Sequence, residues 1–331
     1  MTGSDIRLLA RDRAPTTIGY LLIPNFSLLS YASAAEPLRA ANTLSGRPLY
    51  RWHHLSPDGN VVAASNGVTI APDLRLEDAA ALKILFVVAG GNPAAFRDRA
   101  TLSRLRRLSQ TSLIIGGISG GAYILARAGL LTGYRCTLHW EHAESFREEF
   151  PDLDLRRSLF EIDRDRLTCS GGTASLDLLH ELITRAHGAV LARRVSDWFL
   201  QTEIRVSAGP DRMTPGERFG VGNPAVQKVL AAIEAEADAP LSPQQLAAIA
   251  GVSVRQLERL FRSHLGVAPR IHGRRVRLDR ARLLLRQTGL SVLEVSLACG
   301  FASPSHFSRS YRVAFGYPPV RERARTNGNM V

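Results

Sequence analysis

The strongest constraint on this chain is an internal repeat near its C-terminus. The segments LAAIAGVSVRQLERLFRSHLGVAP and VSLACGFASPSHFSRSYRVAFGYPP match at a constant offset of 50 residues. Ser253 pairs with Ser303, Leu257 with Phe307, Arg259 with Arg309, Phe261 with Tyr311 and Arg262 with Arg312. Gly266 and Pro269 likewise recur as Gly316 and Pro319. The turn glycines Gly251 and Gly300 are one residue out of step, as turns of different length allow. Each copy therefore reads as helix, glycine turn, helix.

Within each copy the second helix divides cleanly. Ser253 and Ser303 are placed to cap it. Val254, Leu257 and Phe261 fall on one face of the first copy at helical spacing, with Arg255, Gln256, Arg259 and Arg262 opposite. In the second copy Phe307, Tyr311 and Ala314 form the buried side and leave Ser305, His306, Arg309 and Arg312 outside. Arginine and glutamine can bond guanine and adenine edges bidentately, while serine and a helix N-terminus hold phosphates. One arginine on a helix face is ordinarily just solvated. The same polar face and the same cap in two repeated units point to double-stranded DNA, with promoter DNA read in two major grooves. Between the copies, Ile271–Gln287 reads as a long arginine-rich helix with a Leu278, Ala281, Leu284, Leu285 stripe, which would set the spacing. Recognition helices roughly 34 Å apart can enter successive grooves.

The charge distribution agrees with a polyanionic partner. Residues 221–331 hold 16 Lys and Arg against 7 Asp and Glu, so nine of the twelve net positive charges sit in the last third. An arginine-rich genome would explain why lysine occurs only at Lys83 and Lys228, but not this asymmetry. The three cysteines, Cys136, Cys169 and Cys299, are far apart and form no zinc-type spacing, as expected for a reducing cytoplasm. Residues 1–15 lack the apolar centre of a secretory signal, and no apolar run approaches the roughly 20 residues of a membrane span, so no membrane association is expected.

The N-terminal part has a different rhythm. Thr17–Ile23, Ile84–Ala89 and Leu113–Ile118 read as continuous apolar strands, with Leu167–Ser170 a fourth. Phe26–Asn42, Gly120–Ala128 and Thr173–His187 read as helices between and after them. Such strands imply a parallel sheet covered on both faces. The expected division is a tail (1–16), an α/β domain (17–206), a Gly/Pro-rich linker (207–223), an all-α domain (224–325) and a second tail (326–331).

Gly117-Ile118-Ser119-Gly120-Gly121 matches the G-x-S-x-G nucleophile elbow and lies between a strand and a helix, as that motif requires. Gly90-Gly91 would lie at a neighbouring strand end. A serine hydrolase also needs a base and an orienting acid. His139, His142, His180 and His187 are candidate bases, and none is fixed by spacing. His139 and His142 could also form a metal pair, but the sequence offers no evident third ligand, so neither metal nor cofactor is expected.

Residues 225–325 resemble the AraC/XylS DNA-binding domain, on LSPQQLAAIAGVSVRQLERLFRSHLGVAP, RLDRARLLL and SVLEVSLACGFASPSHFSRSYRVAFGYPP. Ile271-His272 departs where relatives often have an aromatic residue. Residues 17–200 resemble the class I glutamine amidotransferase-like superfamily that includes PfpI-type proteases, on IGYLLIPNFSLLSYASAAEPLRAAN, VVAGGN and GGISGGAYILARAGLLTGYRCTLHW. The resemblance implies a flavodoxin-like parallel sheet sandwiched by helices, followed by an all-α domain with two helix-turn-helix units. It also implies control of transcription, often through RNA polymerase, and frequent homodimers. Enzymes of that superfamily usually have a cysteine at the elbow, where Ser119 stands here. They commonly have a carboxylate after the first strand, where Ser30 aligns. Such fusions resemble regulators that sense amino acids or quaternary amines such as arginine, carnitine or betaine. The first domain is therefore expected to be a catalytically silent sensor. Ser119, Gly120, Gly90, Gly91 and His139 would line its pocket, and Tyr31 or Trp140 would offer an aromatic face to a cation. The alternative is a serine hydrolase or amidase with Ser119 as nucleophile.

Overall fold

The computed structural model describes residues 14–236 and 238–323, apart from the side chain of Ala80. The expected C-terminal tail and most of the N-terminal one lie outside these residues. The chain divides into two compact units, with the boundary in sequence between Asp211 and Arg212. No helix among the described residues is long and apolar enough to cross a membrane.

The first unit opens with β1 (Thr16–Leu22), α1 (Leu28–Ser45) and β2 (Tyr50–Leu55), followed by a small ribbon of β3 (Val62–Ala63) and β4 (Thr69–Ile70). Next come β5 (Ile84–Ala89), α2 (Arg99–Leu108), β6 (Ile114–Ser119), α3 (Gly121–Arg127), β7 (Arg135–Cys136), α4 (Ala143–Glu149) and β8 (Asp154–Leu155). The unit closes with β9 (Phe160–Asp163), β10 (Arg166–Cys169), α5 (Ala174–His187) and α6 (Ala189–Trp198). The main sheet has the order β2-β1-β5-β6-β10-β9, parallel throughout except for β9 at one edge.

The central strands are apolar on both sides because both sides are covered. In β5, Ile84, Phe86 and Val88 join one core while Leu85, Val87 and Ala89 join the other. α1 and α5 supply the first core and α2 and α3 the second. β5 ends where its sequence pattern places it. β2 was not legible, since Arg51, His53 and His54 interrupt its apolar pattern at the sheet edge.

The second unit contains α7 (Pro215–Arg218), α8 (Pro224–Ala235), α9 (Pro243–Ala250), α10 (Val254–Leu265), α11 (Pro269–Gln287), α12 (Val292–Ala298) and α13 (Pro304–Phe315). Part of the segment expected to be a linker is tied down. Ser207 bonds the backbone of Leu159 and Phe160 in the first unit. In the second unit Thr214 and Glu217 form a capping box on α7, Arg218 pairs with Glu234, and Val221 joins the core. A one-turn helix is too short to leave a periodic signature. The second unit has two hydrophobic cores. One is built on Val226, Val229, Leu230, Leu257 and Phe261, the other on Leu278, Leu284, Leu285, Phe307 and Tyr311.

Candidate DNA interface and effector site

The second unit presents two copies of one device. α9 ends at Gly251 (φ 68°) and α12 is followed by Gly300 (φ 66°), both in the left-handed region that glycine occupies without penalty. Gly300 also has no room for a side chain, because a Cβ there would lie 2.5 Å from the Asp238 carbonyl oxygen. Beyond the turns, Ser253 accepts from the Gln256 amide at 3.2 Å and Ser303 from the His306 amide at 3.4 Å. Leu257 and Phe261 are buried beneath α10, and Phe307 and Tyr311 beneath α13. Arg255, Gln256, Arg259 and Arg262 are all exposed on α10. Ser305, His306, Arg309 and Arg312 are exposed on α13. The two polar faces anticipated from the repeat are thus both open to a ligand.

The arginines of α11 divide differently. Arg277 donates to the Gly300 carbonyl at 2.8 Å, and Arg282 and Arg286 bond Glu322 at 3.2 and 2.6 Å. Arg275 pairs with Asp279 at 3.1 Å. Much of this basic helix is thereby engaged in holding the domain together. Glu322 went unnoticed in the sequence, since a lone glutamate in a basic tail reads as a surface residue.

In the first unit β6 runs straight into Ser119, which has φ 57° and is only 5% exposed. A serine in this region is strained, and such strain persists only where its surroundings enforce it. Here the enforcement is close packing. A Cβ at Gly121 would lie 1.8 Å from the Val87 carbonyl oxygen, and one at Gly117 would lie 2.4 Å from the Ala122 nitrogen. The sharp strand-to-helix turn therefore needs its glycines.

Ser119 sits among strand ends. Gly171 (φ 85°), just after β10, approaches so closely that a Cβ would be 2.6 Å from Ser119 Cβ and 2.9 Å from Ser30 Oγ. Ser30 accepts from the Gly172 amide at 2.7 Å and donates to Ser27 Oγ at 3.0 Å. Gly90 packs against Asn25 and Ser27, and Gly91 (φ 59°) against Asn25. The His139 amide reaches the Ser119 carbonyl oxygen at 3.4 Å. Ser27, Gly171 and Gly172 were missed in the sequence, although Ser170-Gly171-Gly172 after a strand was a readable signal.

Other expected residues are placed less simply. The Gly120 amide is spent on the Ala89 carbonyl oxygen at 2.9 Å, so it does not face a ligand. Tyr31 packs edge-on against Tyr20 and Phe26, and its hydroxyl lies 2.6 Å from His54 Nε2. His54 in turn contacts Asp73 at 3.1 Å, so Tyr31 belongs to a Tyr–His–Asp chain. Trp140 is exposed and lies against the His139 ring at 5.3 Å.

No acid or base hydrogen-bonds the Ser119 hydroxyl among the described residues, and His139 meets Ser119 only through its backbone. His180 bonds Ser196 at 2.9 Å and His187 packs on Tyr50. Burial pushes the Cys136 thiol up to about 12 and that of Cys169 to about 11, so neither supplies a thiolate near neutral pH. His139, Glu141 and His142 bring potential ligand atoms within 4.8 Å of one another. Glu141 is the third donor that the sequence did not make evident.

Comparison with known proteins agrees with both halves. Residues 246–325 match a helix-turn-helix domain model, and residues 28–185 match the DJ-1/PfpI family. The chain is 48% identical over 305 residues to the HTH-type transcriptional regulator CdhR of Pseudomonas aeruginosa, covering 92% of this chain and 90% of that one. It is 46% identical to GlxA of Rhizobium meliloti, covering 93% and 96%, and 43% identical to GbdR of P. aeruginosa, covering 95% and 85%. The chain is structurally similar to an AraC family transcriptional regulator from Pseudomonas putida, with a TM-score of 0.50 at 28% identity, covering 56% of this chain and all of that one. The chain belongs to the AraC family of helix-turn-helix transcriptional regulators, in the branch whose N-terminal half is a DJ-1/PfpI-type domain.

Proposed function

We propose that this regulator reads promoter DNA with the exposed faces of α10 and α13 and senses a small molecule at the strand ends around Ser119. The observation that carries the DNA assignment is the recurrence of one exposed polar face and one serine cap, fifty residues apart, on two helices with separate cores. Arg255, Gln256, Arg259 and Arg262 read one half-site, and Ser305, His306, Arg309 and Arg312 the other. Ser253 and Ser303 fix the helix starts against phosphate. The protein works in the cytoplasm, as a homodimer on promoter DNA, in contact with RNA polymerase.

The sensor reading rests on Ser119, held in a strained turn yet hydrogen-bonded to no base among the described residues. That geometry supports ligand binding without turnover, so the domain is a catalytically silent descendant of an enzyme fold. The effector is an amino acid or a quaternary amine such as betaine. Ser119, Gly90, Gly91 and His139 surround it, and the exposed indole of Trp140 faces its cation. Tyr31 acts from the second layer, through His54.

Footprinting on the regulator's own upstream DNA, with and without arginine, carnitine and betaine, tests the pair of claims. Two protected half-sites and an effector-dependent change are expected. Protection no different from random DNA would defeat the interface. Ester or amide turnover that disappears in Ser119→Ala would defeat the silent sensor.

A further inference from the structure

The first helix-turn-helix carries a partly open pocket. A cavity of about 290 Å³ lies between α8, α9, α10 and α11, with Ile233, Leu246, Val254 and Leu257 on its apolar wall. That volume lies just below the usual range of ligand pockets, roughly 300 to 1,000 Å³. Gly273 lines it from the middle of α11. Glycine weakens a helix interior, and nothing here demands it: its φ is not left-handed, and a Cβ would meet only the Ile233 side chain, in ordinary contact at 3.6 and 4.0 Å. A residue selected only to fill the core would have a side chain at this position. The glycine keeps the space open.

One side of the cavity is basic. Arg270, Arg274 and Arg277 line it at successive turns of α11. Glu236 and Glu258 also reach it, but Glu258 is already drawn to Arg262 at 3.8 Å. Arg270 and Arg274 form no ion pair among the described residues, and the buried Nε of Arg277 has no hydrogen-bond partner. We propose that this cavity binds a small amphiphilic anion, its hydrocarbon part against the leucines and its acidic head on the α11 arginines. It is a ligand site distinct from the elbow, inside the DNA-binding domain.

Arg277 gives the site a route to the second helix-turn-helix. Its guanidinium donates to the Gly300 carbonyl at 2.8 Å and lies over the Phe301 ring at 4.7 Å. Phe301 packs on Phe307 at 5.1 Å and against His306 at 5.9 Å, both on α13. Pro240, on the cavity wall, also borders Gly300. An anion that engages Arg277 competes with the Gly300 carbonyl and loosens the turn that aims α13. The site rests on the DNA-binding assignment and is independent of the effector site at Ser119.

Calorimetry of the full chain with hexanoate, hexan-1-ol and hexylamine tests the proposal. Hexanoate is expected to bind, with hexanol at least about tenfold weaker and hexylamine weaker still. Gly273→Leu should abolish hexanoate binding, while Gly171→Ala, beside Ser119, leaves it unchanged. Should Gly273→Leu fail to fold, Arg274→Gln decides: loss of the preference for hexanoate over hexanol supports the site, and a retained preference overturns it. No hexanoate binding, or binding indifferent to Gly273→Leu, also overturns it. In footprints, saturating hexanoate should weaken protection at the α13 half-site alone. Binding with an unchanged footprint would overturn the coupling through Arg277.

Discussion

The hydroxyl of Tyr311 donates to the buried carboxylate of Glu322. Fifty residues upstream, the equivalent pair is Phe261 and His272, whose rings meet at 6.2 Å with no hydrogen bond between them. The two halves of the DNA-binding domain therefore solve one packing position in different ways, one with a charge and one with an aromatic contact.

Glu322 makes the second half acid-sensitive. Burial alone would raise its carboxyl, but bonds from Tyr311, Tyr317, Arg286 and Arg282 outweigh this and hold it at about 2. An unfolded glutamate titrates near about 4.3. Between those values the unfolded chain binds more protons, so the stabilisation is present above about 4.3 and is lost as pH falls through about 2. Glu322→Gln should flatten that acid limb, followed by circular dichroism. At pH 7 it should destabilise α13 by about 1–3 kcal/mol, read by amide hydrogen exchange.

His272 tilts the first half in a milder pH range. Burial pulls its pKa below the ordinary value, and its buried Nε2 has no hydrogen-bond partner among the described residues. An unfolded histidine titrates near about 6.5, so this contribution is intact above that pH and declines as pH falls below it. His272→Phe should abolish the decline and stabilise α10 by about 1 kcal/mol at pH 6, measured by urea unfolding.

Gly171→Ala should silence the sensor without harming the DNA interface. The new methyl would press on Ser119 and Ser30 from a backbone position with φ 85°. The expected outcome is loss of effector-induced thermal stabilisation with unchanged affinity for promoter DNA. A variant that still responds fully to its effector would remove Ser119 from the site.

Arg255→Ala and Arg309→Ala should each relax base choice at a different half-site, at about 1–3 kcal/mol per lost base contact. An arginine that touches only phosphate should instead weaken all sequences alike and reduce the salt dependence. Binding measured against single-base operator variants at two salt concentrations separates these cases.

What the sequence disclosed follows from how local each signal is. The repeat, the caps at Ser253 and Ser303, and strand Ile84–Ala89 are written in neighbouring residues. The elbow was legible for the same reason, and its strain at Ser119 follows from the flanking glycines. The serine and glycine cluster was not, because Ser30 and Gly172 are 142 positions apart and meet only through the sheet order. Tyr31 read as a ligand-facing aromatic because nothing local announces His54 as its partner. Glu322 was hidden because its burial depends on arginines from α11.

α11 touches both cores of the DNA-binding unit, with Val276 packed into the first and Leu278 into the second. Only one residue separates these anchors, so the helix works as a ruler with no slack. Adding or removing a single residue there would swing one reading head by about 100° around the other. Point substitutions can change which bases each head prefers. With α10 and α13 as the proposed reading heads, half-site spacing should follow the length of α11, and operators for this regulator should vary in letters far more readily than in spacing.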